Sequence, residues 1–475
     1  MTPLTQTVTL TLIPETLRWA HTHFGTADLG DRRRTRRLVQ LAQACAQHPD
    51  GRLPAKLTAA ALKALYRWAN RAETTMDAVQ TPHRQHTLAL ARQQPVVLFL
   101  HDTTELDFTA HPALQGTGPI GNGGGRGFLQ HNTLALVPEP RQVLGLAHQQ
   151  LVVRQPAPKG ETTYQRYRRR RESALWADGI RPLGEPPPDT CWVDVADAGA
   201  DVFEAMAAAR AVGHHFLFRA SQERSVDVAL ADTTEATTLL SWGRLIPAQA
   251  SDTVTIPAKG GRPARSARVV LGAAPATIQP PKQMPDRDQQ MPLPVWVVHV
   301  WEPNPPPDTE ALEWLLITSL PTRTAAEVVQ RRDWYALRSL VEVFHQIEKT
   351  GCREEQVQVQ TKDRLAPVLG LLSVVAVRLL QWRLAQEAQP DAPAAQVATA
   401  DELAVVQAVD TDRRTRGPWT VDRFVRAVAR LGGFLGRKGD GRPGWQTLWR
   451  GYQRLHDLVQ GYRLHHAIRS PPKCG

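Results

Sequence analysis

The chain has 475 residues, 42% of them hydrophobic, and its 57 Lys and Arg against 46 Asp and Glu leave a net charge of +11. The length predicts roughly two to four domains, and the apolar share excludes a disordered chain. The positive balance favours a polyanionic partner, with an ordinary basic enzyme as the bland alternative.

Residues 14 to 92 read as mostly helical and contain GDRRRTRRLVQLAQA and KLTAAALKALYRWANR. Asp31 is placed to cap a helix whose first turns carry Arg33, Arg34 and Arg37,. A solvated charged face is the ordinary reading of such a run. Basic residues crowded together repel one another, however, and the run is expected to need a counter-anion. From Pro95 the pattern changes: PVVLFLHD reads as a buried strand ending on Asp102,. GTGPIG at 116–121 matches a dinucleotide fingerprint in letters only. Pro119 sits inside it and GNGGGRG follows, which predicts a flexible loop near the active site,. HNTLALVPEPRQVLGLAHQQLVV predicts two strands around a Pro-Glu-Pro turn,.

The basic stretch TYQRYRRRRESALWADG reads as helical. CWVDVADAGAD then gives a strand with Asp197 at its C-terminal end, DVFEAMAAARAVG a helix and HHFLFRAS a strand. His214 and His215 are expected to be structural. Three strands, helix, strand, helix, strand is the order of a mixed-sheet, RNase H-like core. Residues 222 to 322 interrupt it with strand-like runs DTVTIPA, ARVVLGA, LPVWVVHVW and EWLLITSL, read as an inserted β subdomain, with a mobile Pro-rich loop at QPPKQMPDRDQQMPLP,. A helix over 324–350 follows, then another over RLAPVLGLLSVVAVRLLQWRLAQEA. Pro and Ala at 390–396 suggest a linker, and the tail from about Ala400 reads as helical and basic, ending in RSPPKCG,. The expected division is a helical domain at 1–75, a catalytic core at 76–380 and a helical domain at 381–475.

The scattered cysteines Cys45, Cys191, Cys352 and Cys474 form no CxxC pair, and the histidines show no HExxH spacing, so neither a zinc ribbon nor a zinc protease is expected,. MTPLTQTVTLTL lacks a charged leader-type start, and the apolar run Leu369 to Val377 is broken by Ser373 and short for a bilayer,. A cytoplasmic protein with no membrane partner is expected.

The strongest local signal is DWYALRSLVEVFHQIEKTG. At 100° steps Tyr335, Arg338, Glu342 and Lys349 fall within about 60° of one another, while the apolar residues take the opposite arc. Alone, this is an amphipathic helix with an Arg338–Glu342 pair. With two strand-end aspartates, Asp102 and Asp197, it becomes a set of three carboxylates, which would repel without a cation. Mg²⁺ binds carboxylates and keeps positions open for phosphate oxygens. Two such ions suit phosphoryl transfer.

Tyr335, Arg338, Glu342 and Lys349 resemble the tyrosine–arginine–glutamate–lysine signature of IS-four-type DDE transposases, and the chain is most similar to the Tn-five-type members. The resemblance also includes LGDRRRTRRLV, ALYRWANR, HDTTEL, DAGADVFEAM, EWLLITS, EVFHQIEKTG, VAVRLLQ and RLGGF followed by GWQTLW. It implies a helical transposon-end-binding domain, an RNase H-like core with a β insertion, and a helical dimerisation domain. It implies that Asp102, Asp197 and Glu342 are catalytic and hold two Mg²⁺, with Mn²⁺ able to substitute. The implied partners are double-stranded DNA, as transposon ends and target, and a second copy in a synaptic homodimer, associated with the bacterial nucleoid. The implied reaction is nicking, hairpin formation, hairpin opening and joining of 3′ ends to target DNA.

By the same resemblance Trp314 would stack on a flipped base, although its pattern alone reads as a core tryptophan. Tyr335, Arg338 and Arg219 would hold the neighbouring phosphates, Lys349 would contact the backbone, and Arg33, Arg34 and Arg37 would contribute to end recognition. Ser339, Leu340, Val343, Gln346 and Glu348 depart from the family pattern, which leaves the acidic triad intact and bears on end binding. Two alternatives stay open: a DNA-binding protein without catalysis, and a nuclease of the same core that never joins strands.

Overall fold

The computed structural model describes residues 16–47, 52–230, 233–256, 264–410, 417–437, 440 and 442–469. The first twelve or so residues of the leader-type reading, Cys474 and the RSPPKCG tail from Ser470 on lie outside the described residues.

The helical reading of the N-terminal region holds. It comprises α1 (Thr16–Phe24), α2 (Arg32–Gln47), α3 (Leu53–Lys56), α4 (Ala59–Ala69) and α5 (Met76–Ala91). Asp31 opens α2 as expected, its carboxylate accepting the Arg33 N–H at 2.8 Å,. Thr58 and Thr75 cap α4 and α5 in the same way. Trp19, Phe24, Leu38, Leu41, Leu65 and Trp68 are buried and join the central core.

The sheet begins with β1 (Val96–Asp107), β2 (Gly118–Ile120), β3 (Gly125–Val137) and β4 (Gln142–Val152). After α6 (Thr163–Arg168) and α7 (Ala174–Ile180) come β5 (Cys191–Ala196), α8 (Phe203–Ala211) and β6 (His215–Arg219). β1 pairs antiparallel with β3 and parallel with β5, and β5 pairs parallel with β6. β4 pairs with β3 beyond it, so the spatial order of this half is β4-β3-β1-β5-β6. Because both faces are covered, the central strands read as continuous apolar runs. Leu98 and Leu100 point into one buried cluster, while Val97 and Phe99 point into another with Trp192 and Leu183,.

Three expectations are corrected here. β1 continues five residues past Asp102, because β3 goes on pairing with it as far as Asp107 after β5 has ended. The glycine run near 116–127 is the turn of a hairpin: Gly118–Ile120 pairs with Gly125–Gly127, and a Cβ on Gly127 would lie 1.9 Å from the Leu106 carbonyl oxygen, so only glycine lets β1 approach,. The strands of the 222–322 segment are not a separate layer. They are β7 (Ser225–Leu230), β8 (Thr233–Thr238), β9 (Ala250–Ile256), β10 (Arg265–Ile278), β11 (Leu293–Trp301) and β12 (Glu313–Thr318), with α9 (Leu239–Gly243) between β8 and β9. β12 pairs antiparallel with β6, so the insertion extends the core sheet at its open edge,.

The remaining helices are α10 (Ala325–Ala336), α11 (Ser339–Gln346), α12 (Lys362–Ala388), α13 (Ala400–Val409), α14 (Val421–Leu431) and α15 (Trp445–Arg469). From Lys362 to Leu384, α12 has the length and apolar content of a bilayer span, a longer stretch than the interrupted run at Leu369 to Val377 suggested. It is instead mostly buried, packed against α2, α4, α5 and β4. It also runs unbroken across residue 380 and carries the central core into the C-terminal helices, where Trp382 meets Tyr452 edge-on at 3.8 Å. The Pro- and Ala-rich stretch there is no loose linker: Ala394 and Val397 are buried, and the Ala394 N–H donates to the Trp419 carbonyl. α14 and α15 touch backbone to backbone, since a Cβ on Gly451 would lie 1.9 Å from the Val428 carbonyl oxygen.

Candidate functional site

The register of β1 and β5 decides what stands beside what. Their last paired residues are His101 and Ala196. The next residue on each strand is an aspartate, Asp102 and Asp197, so the two carboxylates emerge side by side where the parallel ladder ends. Asp197 turns its side chain to cap the single helical turn after β5, accepting the Gly199 N–H at 2.8 Å. Asp102 takes the Thr103 N–H at 2.8 Å. Burial and then the charge of Asp197 push the Asp102 carboxyl up to about 7, with Arg338 and the Thr103 N–H pulling the other way,.

The floor under Asp102 is a buried chain of polar groups that sequence reading missed. His101 Nε2 meets Asp194 Oδ1 at 2.8 Å, and Asp194 Oδ2 meets His214 Nδ1 at 3.0 Å. His214 Nε2 donates to the Gly184 carbonyl at 2.9 Å, so both of its ring nitrogens face acceptors. Burial opposes charge on His214, but Asp194 and the Gly184 carbonyl raise its pKa. This bears out a structural role for His214. Asp201, also buried, accepts the N–H groups of Ser221 and Gln222 at 2.7 Å each and pairs with Arg224, tying the end of β6 to the loop that carries Asp197.

Glu342 comes from α11. The expected single helix over 324–350 is two helices and a wide turn. Between α10 and α11 the bonds tighten to three-residue spacing: Arg338 N–H to Tyr335, Leu340 N–H to Leu337 and Val341 N–H to Arg338, each at 3.0 Å,. After α11 the turn widens, with the Cys352 N–H bonded to the Ile347 carbonyl at 2.9 Å. Overwinding at one end and underwinding at the other displace the ideal wheel. Arg338 and Glu342 still meet, four residues apart in an ion pair. Lys349 lies in the widened turn and leans 4.0 Å from Glu355, whose Oε1 accepts the Asp107 N–H at the far end of β1.

Arg338 is the hinge of the arrangement. Its guanidinium pairs with Glu342 and reaches Asp102 Oδ2 at 3.4 Å. It also lies beside the Tyr335 phenol, which burial raises in pKa and which feels the charges of Arg338, Arg219 and Asp197. Tyr335 is buried with its ring 5.2 Å from that of Trp314, edge to face. Trp314 is half-buried on β12, and Arg219 stands at the exposed end of β6, across from Leu316. His345, which sequence reading did not single out, lies with Nδ1 3.8 Å from Asp102 Oδ2. Burial, then Lys349 and Arg338, push it down to about 3, so it is neutral. Asp102, Glu342 and Tyr335 thus lie around the Arg338 guanidinium, with Asp197 following the same strand ladder as Asp102 and Trp314 beside Tyr335. Among the described residues, no three His, Cys, Asp or Glu side chains are drawn together closely enough to hold a metal ion.

The N-terminal arginines stand apart from this site, on α2. Two of them find a counter-anion within the chain. Arg33 pairs with Asp31 at 2.8 Å, and Arg34 pairs with Glu73 at 2.8 Å while also donating to the Leu29 carbonyl. Arg33 stays 86% exposed nonetheless, and Arg32, Arg36 and Arg37 are exposed beside it.

Two family models match the chain. One, described as Transposase DNA-binding, covers residues 17–73, which is α1 through α4 and the turn after it. The other, described as Transposase Tn5 dimerisation domain, covers residues 374–470, from the second half of α12 through α15.

Proposed function

Starting from the family that these regions identify, that of the Tn5-type transposases, we propose that the chain is a cut-and-paste DDE transposase whose segment between them is an RNase H-like catalytic core. Transposase, DNA binding and dimerisation follow from the matched regions; the chemistry is read from the site. The observation that carries it is the side-by-side emergence of Asp102 and Asp197 from adjacent parallel strands, with Arg338 joining Asp102 to Glu342. The strand order β4-β3-β1-β5-β6, with the carboxylates where the parallel ladder ends, supports the core assignment.

The donor chemistry suits a hard divalent ion, while the three carboxylates are not drawn together around one point among the described residues,. All three groups are carboxylates, and burial, then the charge of Asp197, raise the pKa of Asp102 against the pull of Arg338,. Asp102, Asp197 and Glu342 would hold Mg²⁺, two ions per site, or Mn²⁺. Bound there, the ions would supply Lewis acidity and neutralise charge on the oxygens around phosphorus.

The chain's own residues do the positioning. Arg338 offers a planar guanidinium that can take a phosphate in two parallel hydrogen bonds, and Tyr335 adds a hydroxyl beside it. Arg219 and Lys349 extend the positive lining on either side. Trp314 presents part of an aromatic face next to Tyr335, suited to a base leaving the stack when a duplex end is folded into a hairpin. Each step, from nicking to joining the 3′ end to target, is an in-line displacement at phosphorus, so one site serves them all. Double-stranded DNA from transposon ends and target is the partner in the bacterial cytoplasm, with two copies in a synaptic complex. Leu435, Leu464 and Ile468, exposed apolar residues in the matched C-terminal region, suit that contact.

The test uses the inverted repeats flanking the gene as substrate, with Mg²⁺. Nicking, hairpin formation and joining to a target plasmid are expected, and Asp102→Ala, Asp197→Ala or Glu342→Ala should abolish all three while leaving end binding intact. Trp314→Ala should nick near the normal rate and accumulate nicked DNA with few hairpins. Cleavage without joining would identify a plain nuclease, and binding without cleavage a non-catalytic protein. Equal loss of nicking and hairpins in Trp314→Ala would return that residue to the core.

A further inference from the structure

We propose that Asp194, with His101 and His214, pins strands β1, β5 and β6 lengthwise and so sets Asp102 level with Asp197. The inference rests on the reading of Asp102 and Asp197 as catalytic carboxylates and concerns what holds them side by side. The need for a pin is written in the strands. Leu98, Leu100, Val193 and Val195 face one buried cluster, while Val97, Phe99 and Trp192 face another. Apolar contacts are non-directional, and a slip of two residues returns every side chain to its own face, so burial alone specifies the register weakly. Such a slip would carry Asp197 about 7 Å along β1, away from Asp102.

A line of hydrogen bonds removes that freedom. It runs from Thr133 Oγ1 on β3 to His101 Nδ1 at 3.0 Å, and from His101 Nε2 to Asp194 Oδ1 at 2.8 Å. It continues from Asp194 Oδ2 to His214 Nδ1 at 3.0 Å and from His214 Nε2 to the Gly184 carbonyl at 2.9 Å. All four side chains are buried. His101 immediately precedes Asp102 and, by strand alternation, lies on the opposite face of the sheet,. The line therefore crosses behind the strand ends, and its members act by positioning.

The partners fix the protons. His101 donates from Nε2 to the carboxylate and accepts the Thr133 hydroxyl on Nδ1, whereas His214 faces an acceptor at each nitrogen and holds two protons,. The His214 ring is itself clamped, stacked on Phe99 at 5.7 Å and edge-on to Trp192 at 5.3 Å. Both Asp194 oxygens are engaged, one towards each neighbouring strand. Sliding β5 by two residues would strand that carboxylate among apolar side chains, which strongly disfavours the slipped state. A buried ion pair adds little net stability, because desolvation offsets its attraction, and its best-attested use is to select one register over others. This separates a pin from an ordinary structural contact. Loss of a structural contact lowers stability and activity together. A pin replaced by apolar side chains leaves a stable fold whose two aspartates no longer stand level.

The experiment uses the full chain, the inverted repeats flanking the gene and Mg²⁺. The variant His101→Leu/Asp194→Val/His214→Leu should melt at or above the wild-type temperature and still bind ends, while nicking at saturating ends falls roughly a hundredfold. Asp194→Asn keeps the shape and serves if the triple variant does not fold; its nicking should fall roughly tenfold. Register is read separately from activity. Val96 pairs with Cys191, and both are half-buried. A short thiol-to-thiol cross-linker should bridge Val96→Cys to Cys191 readily when the pin is intact, and several times less in the pin variants. Unchanged nicking or unchanged cross-linking in the folded variants overturns the pin while the catalytic reading stands. If the wild type itself does not nick, the catalytic reading falls and the pin with it.

Discussion

Glu342 and Glu348 lie six residues apart on one segment, yet they belong to two acidic clusters of opposite kind. Glu342 faces outward and pairs with Arg338, which also reaches Asp102. Glu348 is sealed. It accepts from Gln130 at 3.0 Å, Asn132 at 3.2 Å and Gln149 at 3.2 Å, under α12. Glu354 joins it through Gln130 and Ser373, and Gln80 closes the network onto Gln149 at 2.7 Å. Burial raises Glu348 well above the carboxylate range and the charge of Glu354 raises it further; burial likewise lifts Glu354 to about 8. An open acidic cluster attracts cations, whereas a closed one surrounded by neutral amides keeps its protons. The same residue type becomes reagent or mortar according to what surrounds it.

The largest expected effect breaks this comparison directly. Glu342→Gln should lower DNA cleavage about a thousandfold or more while leaving the melting temperature nearly unchanged, because it removes a transition-state charge from an exposed side chain. Glu348→Gln should do the reverse, holding cleavage within a few-fold of wild type, since the neutral amide replaces a carboxyl whose charge burial and Glu354 disfavour. Cleavage rates and melting curves on both variants decide it. Equal activity losses would mean that the buried cluster positions the catalytic one.

A smaller effect sharpens the comparison through pH. The folded state holds a proton on Glu354 that the unfolded chain releases above its ordinary value of 4.5. Native protein therefore binds more protons than unfolded protein between 4.5 and about 8, and stability falls as pH rises through that window,. Glu354→Gln should flatten the slope, making the protein more stable than wild type by about 2 kcal/mol on the alkaline side and no more stable on the acid side. Denaturant titrations across the window would show parallel curves if the group were ordinary.

The smallest effect carries the contrast between committed and uncommitted charge to α2. Arg37 is exposed, whereas Arg34 is engaged by Glu73 and the Leu29 carbonyl. Arg37→Ala should lower the salt slope of end binding by about one unit without changing stability. Arg34→Ala should cost roughly 1 kcal/mol of stability instead. Salt titrations of binding and thermal melts on the two variants separate the roles.

Much of this was legible in order along the chain. The apolar runs of PVVLFL and WVDVA placed two aspartates at matching points, and the hydrophobic periodicity marked the helices on either side. Ser373 showed only as a flaw in an apolar run, and Glu348 only as a departure from a family pattern. They are two ends of one buried network, and their partners Gln130, Asn132 and Gln149 come from strands 199 to 224 residues away in the chain. His345 and the link from His101 through Asp194 to His214 were invisible for the same reason: a histidine in an apolar stretch carries no sign of what it faces.

The sequence by itself determined the kinds of element, their order and the identity of the outward carboxylates, because burial on one face or both is written in local periodicity. Only the tertiary structure decided the rest. Strand register set Asp102 beside Asp197, and two altered turns rotated Glu342 and Arg338 away from an ideal wheel. Pairing with β6 made the insertion part of the core sheet. Register, helix overwinding and edge pairing depend on hydrogen bonds between residues far apart in the chain, and such partners leave no mark on their own neighbours.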